Sequence, residues 1–287
     1  MAARRMMESD IGFAVDLIRA ERWGHTRIDL ARMLSLSPGG SYVWEDCRKP
    51  CGFITSMRYE RTAMIGHLLV SSDSRGRQVG KGLVAALLED VDASGVRSTM
   101  LYATEEGSRL YRQFGFEDSG YELIAVGILL KDSERRALRT TCSNAREGDV
   151  AEIAARDRMA FGDDRSELMA RLLLEFPEHC FKLERSGHLA GYVLGRRTPI
   201  GFDIGPWYCD TGRWEDGAAL LDSVLSSFPC GGRIDISPFA SNRLVPRIIA
   251  RHHKYRRAER VKLMIRGDMR YSSGSDDVLG VAGFELG

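Results

Sequence analysis

The chain of 287 residues lacks any apolar run near the roughly 18 residues that a membrane-spanning helix requires. Its longest candidate, around Leu123 to Leu130, is strand-sized, and no membrane association is expected. A charge bias is missing too. Lys plus Arg number 41 against 40 Asp plus Glu, a net charge of +1, so no global field favours nucleic acid or an anionic surface. The six cysteines are scattered, and Cys47 with Cys51 in CRKPC has neither a second pair nor a histidine at ligand spacing, which argues against a metal site. No Ser-His-Asp order or paired-carboxylate motif stands out. The basic opening MAARRMM is not followed by an apolar region, so it reads as a frayed terminus and not as a targeting signal. Free thiols in a reducing compartment, the cytoplasm, are expected.

The length suits two domains of ordinary size. DIGFAVDLIRAERW and RIDLARMLSL predict two opening helices, and SYVWED, CGFITSMRYE and TAMIGHLLV predict an antiparallel meander. VGKGLVAALLEDVDAS places Leu83, Val84, Leu87, Leu88 and Val91 on one helical face, and is followed by the strand STMLYAT, the helix EEGSRLYRQFG and a last strand YELIAVGILL. The charged segment Lys131–Thr140 marks a boundary between domains at 1–132 and 140–287. Beyond it the order of elements recurs: helices near 149–161, 165–176, 216–228 and 242–253, interleaved with strands, as in a diverged internal repeat. The tail begins rich in Gly and Ser and ends apolar enough to dock.

One stretch carries chemistry. DSRGRQVGKGLVAALL leaves the apolar run MIGHLLV through a basic, glycine-rich loop and turns at once into a helix. The first-turn amides of a helix have no partner inside it, and the helix dipole adds partial positive charge there. With glycines admitting a ligand to the main chain, such a turn suits phosphate oxygens and predicts a nucleotide-like cofactor.

Strand LLV, loop RGRQVGKG and the later LYRQFGF stand in the order seen in the GNAT superfamily of N-acetyltransferases, which the first half resembles. The family's loop pattern of Arg or Gln, two residues, Gly, one residue, Gly or Ala fits in two registers. Arg77, Gly80 and Gly82 match literally. Arg75, Gln78 and Gly80 match with glutamine for the first glycine, and this register is preferred because it keeps the five-residue step from Val70 and puts apolar Val79 between the key positions. The resemblance implies an α/β (α+β) fold of two tandem GNAT-like domains, each a mixed, mostly antiparallel sheet flanked by helices. It also implies acetyl-CoA as acyl donor, held by Arg75, Gly76, Arg77, Gln78, Val79, Gly80 and Lys81 around the pyrophosphate. Leu68, Leu69 and Val70 would bind through main chain on a strand splayed from its neighbour. Tyr111 is implied as the acid at the CoA sulfur, and Thr104 stands where the family often has asparagine.

The implied reaction is direct attack by a primary amine on the thioester in a ternary complex, which needs a base near neutral pH. His67 has a suitable intrinsic pKa, with Glu60, Glu45, Asp46 and Glu21 as alternatives; the position of a family glutamate falls on Met64. Acceptor recognition is expected on ERWGHTRID, where Trp23 offers a face to a cation and Glu21 and Asp29 add negative charge. The acceptor is expected to be a small-molecule or peptide amine, a protein lysine or N-terminus being the other protein-side possibility. A noncatalytic acetyl-CoA sensor and a relic without cofactor affinity are the rival classes.

The second half resembles the degenerate companion domain of bacterial tandem GNAT proteins. In YCDTGRWEDGAALL no arginine-spaced glycine pair is present and the helix starts with Glu215 and Asp216, which would repel a pyrophosphate, so no acetyl-CoA is expected there. Trp207, Tyr208, Asp210 and Trp214 are candidates for lining an acceptor pocket. His252–Arg260 is the one local basic cluster, read as a solvated helix end.

Overall fold

The computed structural model describes residues 2–129, 138, 141–229, 231–251, 255–268 and 276–287. The expected linker Lys131–Thr140 lies outside the described residues apart from Leu138, as do the side chains of 252–259 in the basic cluster. The chain divides into two compact units: Met1–Ser119 with Leu263–Met269 and Phe284–Leu286, and Gly120–Lys262 with Arg270–Gly283 and Gly287.

In the first unit, strands β1 (Ala2–Arg5), β2 (Tyr42–Asp46), β3 (Lys49–Arg58) and β4 (Thr62–Val70) form consecutive antiparallel neighbours, and β5 (Ser98–Ala103) adds to β4 in parallel. The N-terminal segment is thus a strand and not a frayed end. It carries no apolar alternation; Arg4 holds it down through Asp10 at 2.7 Å and Glu45 on β2 at 2.8 Å. Helix α1 (Ile11–Ala20) and helix α2 (Arg27–Leu36) follow as expected. Thr26 and Asp29 cap α2 reciprocally, the threonine hydroxyl accepting the Asp29 amide and the Asp29 carboxylate accepting the Thr26 amide. Helix α3 (Val79–Ala93) buries Val79, Leu83, Val84, Leu87, Leu88 and Val91 against the sheet, the face read from the sequence. Helix α4 (Glu105–Arg112) follows β5, capped by the Thr104 hydroxyl.

The strand Glu117–Leu129 (β6) forms as predicted, but from Gly120 onward it belongs to the second unit, where it pairs with Arg233–Ile236. The neighbour of β5 in the first unit is the Leu263–Gly267 end of the strand Tyr255–Gly267. Both segments have strand periodicity, and periodicity does not name a partner.

The second unit contains β7 (Ser143–Asn144), helices α5 (Val150–Phe161) and α6 (Ser166–Glu175), β8 (Cys180–Arg185), β9 (His188–Thr198), β10 (Gly201–Cys209), helix α7 (Trp214–Ser227) and β11 (Arg233–Ile236). Helix α8 (Leu244–Ile249), the part up to Lys262 of the strand already given as Tyr255–Gly267 (β12) and β13 (Val278–Gly280) complete it. Its strand order is β6-β11-β10-β9-β8-β7, with β13 on β10. Helix α8 is shorter than the predicted 242–253 because Asn242 is a cap. Its carboxamide accepts the Leu244 and Val245 amides and donates to the carbonyls of Asp276 and Val278, fixing the tail.

Among the described cysteines Cys47 is exposed and Cys51, Cys142, Cys180 and Cys209 are buried, burial pushing the Cys180 thiol up to about 12. The thiolate is the nucleophile, so Cys47 is expected to react with iodoacetamide at pH 8 at least ten times faster than Cys180, roughly as thiolate fraction and access dictate. Peptide mapping after timed alkylation checks the order.

Candidate active site

The two parallel strands of the first unit part company midway. The ladder between β4 and β5 runs from Thr62↔Ser98 to Ile65↔Leu101, whereas β4 continues along β3 as far as Gly52↔Val70. The cause lies in β4 itself. Ser56 pairs Ile65 and Ile54 pairs Leu68, so β4 spends three residues where β3 spends two, and the bulge at Gly66–His67 bends the strand where its contact with β5 ends. Leu68 and Val70 keep their side chains half-buried against the α3 core, as expected of residues that would act through main chain.

Directly after β4 the chain makes a short 3-10 turn over Ser72–Ser74 and enters α3 through Gln78, which is in the left-handed conformation at φ 65°. The first bond inside the helix is the Gly82 amide to the Gln78 carbonyl at 2.9 Å, so the amides before it point out of the first turn without an intrahelical acceptor. The surroundings differ among the three glycines here. A Cβ on Gly80 would meet Val70 and Leu110 only at 3.8 and 4.0 Å, and one on Gly76 would meet nothing within 4 Å. A Cβ on Gly82 would strike the Trp44 ring at 2.2 Å. Gly82 is therefore a packing glycine, while Gly76 and Gly80 leave the turn open for a phosphate-bearing group, which the donor set of amides and cations fits.

The cations are already steered. Arg75 donates from Nε to the Val70 carbonyl at 3.1 Å and pairs with Glu21, and Arg77 lies 3.1 Å from Asp46. Lys81 is exposed. Glu45 pairs with Arg4, so Glu21, Glu45 and Asp46 all sit in ion pairs. Tyr111 on α4 is buried, edge-on to Phe116 at 5.8 Å, and burial holds its phenol well above the ordinary tyrosine pKa, so it keeps its proton at neutral pH. Thr104 caps α4 by accepting the Gly107 amide at 3.1 Å.

His67, on the bulge, is buried. Its Nδ1 shares a hydrogen bond with the Thr55 hydroxyl at 3.0 Å, and its ring meets Trp23 at 5.9 Å, Phe53 at 6.1 Å and, edge-on, His25 at 4.3 Å. Trp23 is 42% exposed, so it is both part of this cluster and open to solvent. Asp29 is taken up by the α2 cap and by Arg32 at 3.0 Å.

Two residues of this cluster escaped sequence reasoning. His25 lies within ERWGHTRID but was not singled out. Glu285 comes from the tail; it is 3% exposed, and its Oε2 lies 3.1 Å from His25 Nε2. Its signal in the sequence was a lone carboxylate in the apolar stretch GVAGFELG.

In the second unit the same backbone design recurs with a different filling. The parallel ladder of β10 with β11 ends at Ile204↔Ile236, and β10 then carries its own extra residue, Ile204 pairing Gly195 and Trp207 pairing Val193. Past that bulge, Trp207 and Tyr208 pair with Gly280 and Val278 of β13, so a strand of the chain itself lies along that part of β10. At the start of α7, Asp216 is buried and ion-paired with Arg185, and a Cβ on Gly217 would collide with Leu279 and Ile248 at 2.8 and 2.9 Å. Trp207 is core, Tyr208 stacks on Tyr192 at 5.8 Å, Asp210 pairs with Arg156 at 3.0 Å, and Arg247 lies 4.3 Å over the Trp214 ring.

Residues 37–118 and 153–280 each match a family model described as an acetyltransferase (GNAT) domain. The uncharacterized N-acetyltransferase YitH of Bacillus subtilis strain 168 is 28% identical over 179 residues, 62% of this chain and 61% of that protein. The match thus spans less than two thirds of that relative. A putative acetyltransferase from Pyrococcus horikoshii superposes with a TM-score of 0.80 over 99% of this chain and 95% of its own, at 21% identity. A tandem GNAT protein from the clavulanic acid biosynthesis pathway superposes with a TM-score of 0.66 over 92% and 98%, at 15% identity. Both likenesses concern the fold. Among the described residues no helix is long and apolar enough to cross a membrane, and no group of three or more His, Cys, Asp or Glu could hold a metal ion.

Proposed function

Because the chain belongs to the GNAT acetyltransferases, with two such domains in tandem, we propose that it transfers an acetyl group from acetyl-CoA to a primary amine of a small molecule, by direct attack with both substrates bound. GNAT acetyltransferases in general use acetyl-CoA and act on amines. The observation that carries the reading is the parting of β4 from β5 after Ile65↔Leu101, immediately before the open first turn of α3.

In this reading the main-chain groups of Leu68, Leu69 and Val70 take the hydrogen bonds that β5 leaves, and hold the amide-rich arm of the acyl donor. The amides from Gly76 to Lys81 receive the pyrophosphate, with Arg75 and Arg77 swinging from Glu21 and Asp46 to the stronger anion. Trp23 and the residues behind it form the amine side, and their closeness to one another supports a small acceptor over an extended peptide. Tyr111, protonated at neutral pH, supplies a proton to the departing sulfur. The second unit binds no acetyl-CoA in this reading, because β13 lies where the donor's arm would run. A cytoplasmic location completes the proposal.

Calorimetry of the full chain with acetyl-CoA, then CoA release over a panel of amines, tests it. Absence of binding heat would sink the reading, and heat without CoA release for any amine would leave a sensor. Tyr111→Phe is expected to keep acetyl-CoA affinity within about threefold and to lower kcat by about 100-fold, the size of a general-acid contribution. Loss of affinity with kcat retained would reverse the assignment.

A further inference from the structure

The tail segment Phe284–Leu286 is seated at the point where β4 and β5 diverge. Ile65 and Leu101 are the last ladder partners, and the next residue on each strand touches the tail. Gly66 is covered by Glu285, whose Cβ would stand 2.6 Å from a Cβ on that glycine, and the Tyr102 ring lies 5.6 Å from Phe284. The Tyr59 hydroxyl donates to the Leu286 carbonyl at 2.7 Å, so the segment is tied down on both sides of Glu285. The carboxylate is consequently buried beside the bulge, next to His25 and on the face that carries His67, Thr55 and Trp23. A buried carboxylate needs a partner of opposite charge or a proton, and His25 at 3.1 Å can supply either.

We propose that His25 and Glu285 together form the base of the first domain, His25 taking the proton of the acceptor amine and Glu285 holding the resulting imidazolium. The inference rests on the acetyltransferase reading and adds to it a proton acceptor, His25, held by a carboxylate of the tail segment. His25 is faced by His67 from β4 and by Glu285 from the tail. The Glu285 carboxylate stands 3.1 Å from His25 Nε2 and two adjacent imidazoles resist double protonation, which assigns the charge to His25 and leaves His67 to orient through Thr55.

The amine arrives as an ammonium and one N–H proton passes to His25. The freed lone pair forms the C–N bond at the thioester carbonyl, the C–S bond breaks with its pair on sulfur, and sulfur gains a proton as the nitrogen loses its second. One proton in all is passed to His25, and no oxidant or further co-reactant is needed. Glu285 acts through His25, so it is a positioning residue; His25 is the catalytic one. A carboxylate in contact raises a histidine pKa, keeping the imidazolium available as a proton store near neutrality.

The full-length chain and its Glu285→Gln variant decide the matter, with three readouts. Calorimetry with acetyl-CoA should give the same affinity within about twofold, because the substitution is placed beside Gly66 and His25 and leaves the residues of the α3 turn unchanged. Turnover of the best amine should fall about 100-fold at pH 7.5, in line with loss of a general base, and the acid limb of kcat/KM should move to lower pH. NMR titration of the His25 ring, assigned with His25→Asn, should show its midpoint lower by about one pH unit in the variant, a change that a merely structural role would not produce. Glu285→Asp, which keeps the charge, should restore part of that midpoint and part of the rate.

If the variant binds acetyl-CoA yet loses less than threefold in turnover, or if the His25 midpoint stays put, the proton assignment is wrong and the acetyltransferase reading survives. No binding heat in the wild-type chain overturns both.

Discussion

Gly80→Glu abolishes acetyl-CoA binding, measured as a calorimetric affinity at least about 100-fold weaker, while the unliganded protein keeps its melting temperature. The expectation follows from two distances and one charge. A Cβ at Gly80 meets only Val70 at 3.8 Å and Leu110 at 4.0 Å, which is ordinary contact, so the larger side chain can leave the helix without disturbing the sheet. Its carboxylate is then placed in the first turn of α3. There it takes the outward amides and Arg75 and Arg77 for itself, and like-charge repulsion opposes the diphosphate. A loss of about 2.7 kcal/mol corresponds to the 100-fold change. Gly80→Ala separates size from charge: it removes a glycine from a helix and should raise apo stability by a few tenths of a kcal/mol up to about 1 kcal/mol. Gly82→Ala should do the reverse, since its methyl would enter the Trp44 ring. A Gly80→Glu protein that still gives wild-type binding heat would move the phosphate site off this turn.

That contrast also shows what could be read before the structure. The loop, its helix and the apolar face of Val79, Leu83 and Val84 were legible because periodicity and the amide chemistry of a helix start are local. The choice between registers rested on spacing, and burial of Val79 agrees with the preferred one, with Gly82 turned to Trp44. The bulge at Gly66–His67 was not legible: nothing in TAMIGHLLV distinguishes a strand with an extra residue from one without, because register is settled by pairing across β3. Partner choice failed for the same reason when YELIAVGILL was given to the first sheet, whose place beside β5 is taken by Leu263–Gly267. His25 and Glu285 illustrate the limit most sharply. They are 260 positions apart in number, and only tertiary structure brings their side chains to 3.1 Å.

The repeat was inferred from element order alone, and the structure supplies a more specific kind of likeness. Each unit has a parallel pair that closes after four residues, Thr62–Ile65 with Ser98–Leu101 and Gly201–Ile204 with Arg233–Ile236. Each then has one extra residue on the longer strand, after Ile65 and after Ile204. The two units thus share a backbone device, an extra residue in the longer strand just past a short parallel ladder. What separates the two units is the occupant of the gap. In the second, β13 pairs with Trp207 and Tyr208 and gives the main chain of β10 a partner there.

Asp157→Ala should be the most destabilising single change in the second unit, lowering stability by about 3–5 kcal/mol. Asp157 is fully buried on α5, and its two carboxylate oxygens receive Arg165 Nε and Nη2 at 2.8 and 2.7 Å, a forked pair, with the Tyr192 hydroxyl donating at 2.8 Å. Burial, with Asp157 alongside, holds the Tyr192 phenol well above its ordinary pKa, so it is a donor at neutral pH. Arg165 also covers the Phe161 ring at 4.0 Å and donates to the Gly287 carbonyl. Removing the carboxylate takes the forked partner from a buried guanidinium, and breaking a buried pair by deleting one side sets the size of the effect. Asp157→Asn retains the shape and one acceptor and should cost less. The pair Asp157→Leu with Arg165→Met removes both charges together and should recover much of the loss, because a buried ion pair contributes little net stability over an apolar replacement of similar size. Urea unfolding followed by tryptophan fluorescence, with Trp207 and Trp214 reporting on this unit, checks the order Ala below Asn below wild type. A midpoint for Asp157→Ala equal to wild type would mean that Arg165 finds water or another anion when its partner is gone.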